Sequence, residues 1–162
     1  MHFIVQDKNA RMPTRATKGS AGYDFYSPVS ITLKPGESMI IDLGVSQCPA
    51  MIPSLRRYYS EDEIVYLDNC PKEAESGYVL LLTIRSSLAL KYSLRAINPV
   101  AVIDSDYTDT IKFGIANCGK KPYMVQKGDR ICQGVFVPFL TVDQNDIVID
   151  KKRTGGIGST GK

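Results

Sequence analysis

Arg85-Ser86-Ser87 stands where a strongly apolar run, Tyr78 to Ile84, gives way to Leu88-Ala89-Leu90-Lys91-Tyr92. A strand handing over to a short helix aims backbone N–H groups and hydroxyls at an anion, and Arg85 adds a planar charged fork. A serine N-cap beside a surface arginine accounts for the same residues. Further along, Asp104 and Asp106 flank Ser105 ahead of Tyr107. On an extended chain the two carboxylates share one face and the tyrosine takes the other. A carboxylate beside bound phosphates can serve as a general base for water, while the plainer role of both aspartates is to shape a turn. Gly128-Asp129-Arg130-Ile131-Cys132-Gln133 reads as a turn feeding a strand, with the Gln133 amide facing solvent or a ligand. Ala21-Gly22-Tyr23-Asp24 places an acid after a small-residue break at a strand start.

The stretch Arg153-Thr154-Gly155-Gly156-Ile157-Gly158-Ser159-Thr160-Gly161-Lys162 concentrates glycines, hydroxyls and cations without an apolar anchor. Glycines let the main chain curl around an anion, so the segment reads either as a phosphate clasp or as a frayed tail. Gly156 to Lys162 matches the spacing of a P-loop, but neither the magnesium-holding Ser or Thr nor a helix follows, so that reading is set aside.

These groups need a scaffold. The 162 residues correspond to one domain with a proper core, and 43% hydrophobic with 23% charged residues is a soluble globular composition. A net charge of +3 argues neither for nor against a nucleic-acid surface. No apolar run is long enough to span a membrane, and no signal peptide is expected. Cys48, Cys70, Cys118 and Cys132 are widely spaced, and with His2 as the single histidine a zinc site is not expected. The cysteines read as reduced thiols of a cytoplasmic protein.

Turn signals recur about every ten residues. Phe3-Ile4-Val5, Met39-Ile40-Ile41, Tyr78 to Ile84, Ile111 to Ile115, Ile131 to Phe139 and Ile147-Val148-Ile149 read as strands. Turns are expected at Lys34-Pro35-Gly36-Glu37, Asn117-Cys118-Gly119 and Gln126-Lys127-Gly128-Asp129. Many short strands with one brief helical stretch after Ser86-Ser87 predict an all-β barrel or sandwich. Residues 49–75 break the rhythm with clustered charges and tyrosines, and Ser60-x-x-Glu63 there is a capping-box pattern. The segment is expected to be a surface insertion, either decorative or a site for a protein partner.

In order, Ala21-Gly22-Tyr23-Asp24, Arg85-Ser86-Ser87-Leu88-Ala89, Ile103-Asp104-Ser105-Asp106-Tyr107, Gly128-Asp129-Arg130-Ile131-Cys132-Gln133 and Gly155-Gly156-Ile157-Gly158-Ser159-Thr160-Gly161 closely resemble the five motifs of the trimeric dUTPases. The resemblance runs from Asn9 to Gly161, apart from the insertion. It implies a distorted jelly-roll β-barrel over 1–150, a C-terminal arm over 151–162, and a homotrimer whose sites each draw on three chains. It implies hydrolysis of dUTP to dUMP and pyrophosphate, which keeps uracil out of DNA and supplies dUMP for thymidylate synthesis, with no nucleic-acid or membrane partner. Asp104 would activate the water that attacks the α-phosphorus. Arg85, Ser86, Ser87 and Gln133 would hold the triphosphate. Asn98 and the backbone of a hairpin from Asn98 to Tyr107, Ile103 included, would read uracil, and Tyr107 would exclude a 2′-OH. Arg153, Ile157, Gly158 and Ser159 of the arm would close over the nucleotide. Mg2+ would ride on the phosphates without direct protein ligands, with Asp24 as outer-sphere support.

The chain departs from the family pattern at four places. Ile157 stands where an aromatic is usual, Lys152 where the arm arginine is usual (Arg153 lies one place on), and Ala101 and Asp109 replace glycines. Two other readings remain on this fold. A dCTP deaminase would need a glutamate where this chain has Gly114, and a non-catalytic regulatory binder would not need Asp104, Arg85, Gln133 and the arm together.

Overall fold

The computed structural model describes residues 3–47 and 78–139. Among them are β1 (Phe3–Val5), β2 (Tyr23–Tyr26), β3 (Ile31–Leu33), β4 (Ser38–Asp42), β5 (Val45–Gln47) and β6 (Tyr78–Ile84). After β6 come the short helix α1 (Ser86–Tyr92), then β7 (Leu94–Ala96), β8 (Ala101–Ile103), β9 (Lys112–Asn117), β10 (Tyr123–Val125) and β11 (Arg130–Pro138). The all-β expectation therefore holds. The strands form a four-stranded sheet in the order β2-β11-β6-β8, a three-stranded sheet β4-β9-β7, and the pairs β1-β5 and β10-β3. None of these sheets closes into a barrel.

Period-two patterning explains the long strands. In β9, Phe113, Ile115 and Asn117 point inward while the intervening positions are partly exposed. Phe25, Leu33, Leu43, Leu80, Leu82, Phe113, Ile115 and Ile131 meet in one core. Each contributes on the order of 1.5–3 kcal/mol by leaving water. Beside them, Phe3 sets its ring edge-on to Phe25 at 5.2 Å and to Tyr23 at 5.4 Å, clamping β1 onto the four-stranded sheet. Packing is tight at β11. A Cβ on Gly134 would lie 2.8 Å from Leu80 Cδ1 and 2.9 Å from Phe25 Cε2, so only glycine lets β2 and β6 approach there.

The expected turns at 34–37 and 126–129 are present, with Gly36 at φ 83° and Gly128 at φ 89°. The helix departs from expectation in one respect. Its N-cap is Arg85, not a serine, and no side chain caps it; Ser86 and Ser87 form its first turn. At the other end Ser93 takes a left-handed φ of 56° and donates its N–H to the Leu88 carbonyl. The strand at Ile147-Val148-Ile149, the segment 49–75 with its Ser60-x-x-Glu63 pattern, and the arm lie outside the described residues.

Candidate functional site

Asp24 is the centre of the best-defined polar group. It sits in β2 beside Gln133 of β11, and Gln133 in turn faces Thr83 of β6. On its other side Asp24 exchanges two backbone hydrogen bonds with Thr14, at 2.8 and 3.2 Å. A residue tied on both sides by main chain cannot follow its side chain out to water, and Asp24 is only 8% exposed. A buried carboxylate must be paired. Arg85, just past the end of β6, places Nε 3.0 Å from Oδ1; Arg130, at the start of β11, donates from a terminal guanidinium nitrogen to Oδ2 at 3.1 Å.

Each oxygen of one carboxylate is thus taken by a different arginine. One carboxylate thus fixes the position of two guanidiniums, each of which has more N–H donors than this one contact uses. Both arginines also line a cavity of about 200 Å³ with Leu88, Tyr123, Val125, Asp129 and Ile131. Gln133 is positioned by a missing side chain: a Cβ on Gly22 would lie 3.3 Å from Gln133 Oε1. Glycine in Ala21-Gly22-Tyr23-Asp24 therefore leaves room for the Gln133 amide.

Asp24, expected as outer-sphere support for a metal, has each of its two oxygens engaged by an arginine. Among the described residues no group of three or more His, Cys, Asp or Glu side chains is placed to hold a metal. Arg130 is the residue that reading single motifs left out. Its spacing from Gln133 was visible, but its partnership with Asp24 depends on the β2–β11 register, including the bulge between Arg130 and Cys132.

Asp104 and Tyr107 form a second group. The segment is a turn, closed by the Tyr107 N–H donating to the Asp104 carbonyl at 3.1 Å, so the alternation expected of an extended chain does not apply. The same carbonyl accepts from Gln47 Nε2 of β5. With its backbone held twice, Asp104 presents an exposed carboxylate. Tyr107 is only 4% exposed, packs into the core and donates its hydroxyl to the Thr110 carbonyl at 3.1 Å. It offers a firm edge, not an open stacking face. Ile103 is 7% exposed, with its side chain in the core and its main chain in the ladder with Leu80. Asn98 lies exposed in the bend before β8. No ladder joins the two halves of 98–107; β8 pairs with β6 instead of forming the expected hairpin. Ala101 and Asp109 fit without strain, since Ser93 is the non-glycine residue with positive φ among those described.

The two groups do not meet. Ile103 pairs with Leu80, so Asp104 continues past the Leu80 end of β6, whereas Arg85 follows Ile84 at the other end. At about 3.3 Å per residue the two positions are roughly 20 Å apart along the strand. Asp24, Arg85, Arg130 and Gln133 come together, with Ser86 and Ser87 adjacent; Asp104 and Tyr107 stand elsewhere. Lys152, Arg153, Ile157, Gly158 and Ser159 lie outside the described residues.

The comparisons place this all-β fold in a class of nucleotide hydrolases. The dUTPase family model matches residues 8–55 and 53–161. The deoxyuridine 5'-triphosphate nucleotidohydrolase of Lactococcus lactis subsp. lactis is 32% identical over 98% of this chain and 94% of its own. Among solved structures, the Streptococcus mutans dUTPase is 27% identical, covers 88% of this chain and 99% of its own, and has a TM-score of 0.64. A dUTPase from phage phi11 of S. aureus, whose structure describes coordination of a structural Mg(II) ion, shares the fold at 23% identity and a TM-score of 0.66, over 90% of this chain and 95% of its own. The chain belongs to the dUTPase family of enzymes, with that family's jelly-roll-like fold.

Proposed function

We propose that this chain hydrolyses dUTP to dUMP and pyrophosphate at sites shared between copies in a homotrimer. The observation that carries this reading is the separation along β6. The arginine patch suited to a triphosphate and the exposed Asp104 suited to activating water stand roughly 20 Å apart, too far for one chain to bring both to one phosphorus. A second copy supplying Asp104 to the first copy's patch resolves this.

In the assembled site Arg85 and Gln133 bind phosphate oxygens, with Arg85 oriented by Asp24 before the substrate arrives. Holding the guanidinium in place beforehand lowers the entropic cost of positioning the phosphates. Asp104 orients a water and takes its proton as the oxygen attacks the α-phosphorus. The backbone around Ile103 and Asn98 reads uracil, and the Tyr107 edge leaves no room for a 2′-OH. A base with the wrong edge leaves buried donors and acceptors unpaired, which is how such a slot rejects cytosine. The arm, with Arg153, Ile157, Gly158 and Ser159, closes over the phosphates and opens for product release. Mg2+, when bound with the substrate, would supply neutralisation of the phosphate charge. No described side chain is assigned as its direct ligand. A cytoplasmic site of action, with dUMP passing to thymidylate synthesis, is consistent with this chemistry.

Deamination on the same fold is disfavoured by a specific contact. A Cβ on Gly114, where a deaminase glutamate would stand, would meet Ile97 Cδ1 at 2.9 Å, so Ile97 fills that space. The test is pyrophosphate release from dUTP, dCTP, dTTP and UTP with and without Mg2+, alongside the mass of the protein in solution. Turnover confined to dUTP by a trimer is expected; absence of dUTP turnover or a monomeric enzyme overturns the reading. Removing residues 153–162 is expected to abolish most turnover while leaving the trimer intact.

A further inference from the structure

Asp109 is an acidic residue close in sequence to Asp104 and Tyr107, where a negative charge would oppose a polyphosphate. The structure surrounds it. Its Oδ2 accepts from Lys112 Nζ at 2.6 Å and its Oδ1 from the Thr110 N–H at 2.7 Å. Thr110 Oγ1 donates to Asp42 Oδ2 at 2.6 Å, Lys112 Nζ lies 3.8 Å from that oxygen, and Asp42 Oδ1 accepts from the Gly44 N–H at 2.9 Å. The Lys112 ammonium and the Tyr107 hydroxyl both donate to the Thr110 carbonyl, at 3.5 and 3.1 Å. Across the ladder, Asp42 and Lys112 are register partners of β4 and β9.

The arrangement therefore links a rigid sheet end to the turn bearing Asp104. Asp42 and Lys112 are held by the β4–β9 pairing, Thr110 bridges them, and Tyr107 hangs from Thr110. Tyr107 N–H in turn closes the Asp104 turn. An isolated surface ion pair does little. This one differs because six hydrogen bonds converge on a group anchored in the β4–β9 ladder, so less entropy is lost in forming them.

We propose that Asp109, Lys112 and Asp42 act as a latch that positions Asp104 for catalysis and cancels the charge of Asp109 beside the incoming triphosphate. Lys112 and Asp109 are positioning residues: they act through Thr110 and Tyr107. The hydrogen bond from Lys112 holds the Asp109 carboxyl below its ordinary value, keeping it ionised and paired through the neutral range. The proposal rests on the dUTPase reading for its consequence in turnover, but the latch itself has a readout that needs no substrate.

Two measurements on the full-length protein test it. Amide hydrogen exchange of the protein alone should be about tenfold faster over residues 104–111 in Lys112→Met, with β11 unchanged, and restored in Lys112→Arg. In dUTP kinetics, Lys112→Met should lower kcat about tenfold and raise KM about threefold, because Asp104 is loosened and Asp109 is left unpaired. Adding Asp109→Asn to Lys112→Met should recover KM but not kcat. Exchange over 104–111 equal to that of the unaltered protein overturns the latch, whether or not dUTP is turned over. Faster exchange with unchanged kcat overturns its role in positioning. Absence of turnover in the unaltered protein counts against the dUTP reading alone and leaves the exchange result to decide the latch.

Discussion

The two polar ends of β6 are built on opposite plans. At the Arg85 end, residues far apart in sequence, Asp24, Arg85 and Arg130, are brought together by strand register and joined through one buried carboxylate. At the Asp104 end, most partners fall within residues 104–112, and the group is made of turns and short-range hydrogen bonds with anchors in β4 and β5. The first plan yields a stiff, pre-charged patch whose parts fail together. The second yields an exposed group whose placement can be adjusted one bond at a time. A phosphate-binding patch gains from stiffness, because its ligand is highly charged and its geometry constant. A water-activating carboxylate must instead remain accessible and correctly aimed.

The contrast is broken most sharply at Asp104. Asp104→Asn is expected to leave nucleotide binding within about threefold while turnover falls by about a thousandfold or more, since an amide cannot accept the proton. Titration calorimetry with a non-hydrolysable dUTP analogue beside steady-state kinetics checks this; near-normal turnover removes Asp104 as the base. Asp24→Ala is expected to damage both binding and stability, because it leaves two guanidiniums without their shared partner. Loss of a fully buried partner costs about 3–5 kcal/mol, and the partial exposure of both arginines reduces this to about 2 kcal/mol, readable by urea unfolding. If Asp24→Ala unfolds like the unaltered protein, the stiff-patch account fails.

A smaller effect separates the ends by pH. The Asp109 carboxyl titrates below its ordinary value of 3.8 in the folded protein, chiefly through the Lys112 hydrogen bond. Its contribution to stability is therefore complete above about 3.8 and is lost as the pH falls through the lower folded value. The difference in melting temperature between the unaltered protein and Asp109→Asn should be present at neutral pH and vanish in strong acid. A difference that persists there would mean that the ion pair is not its source. Least costly is a labelling test at the stiff end. Burial pushes the Cys132 thiol well above its ordinary value, with the Asp24 charge adding to the shift, whereas Cys118 is exposed. Iodoacetamide at mild alkaline pH should modify Cys118 and spare Cys132 in the folded protein, as peptide mass spectrometry would show.

The legibility of the chain follows the same division. The runs Tyr78 to Ile84 and Ile131 to Phe139 announce β6 and β11 because seven to nine residues suffice for a strand pattern to stand out. Strands β3, β5, β7, β8 and β10 are three residues each and do not stand out in the sequence, since so short a stretch depends on the partner that pairs with it; β1, equally short, shows only because Phe3-Ile4-Val5 is apolar throughout. The types and order of Asp24, Arg85, Asp104, Tyr107 and Gln133 could be read directly. The turn at Asp104 stands there as one of two readings; that Ile103 and Tyr107 face the core, and that Arg85 rather than a serine occupies the N-cap position of α1, could not be read.

The sequence by itself determined the all-β class, the family, and which side chains have the chemistry for phosphate and water. Those depend on residue type and local order, which are covalent facts. Only the tertiary structure decided that Asp24 serves two arginines, that Arg130 joins the patch, that Asp109 is neutralised by Lys112, and that Asp104 stands at the far end of β6. These depend on register and burial. A shift of one residue in the β2–β11 pairing would turn Asp24 to the other face of the sheet and dismantle the patch without changing a single amino acid.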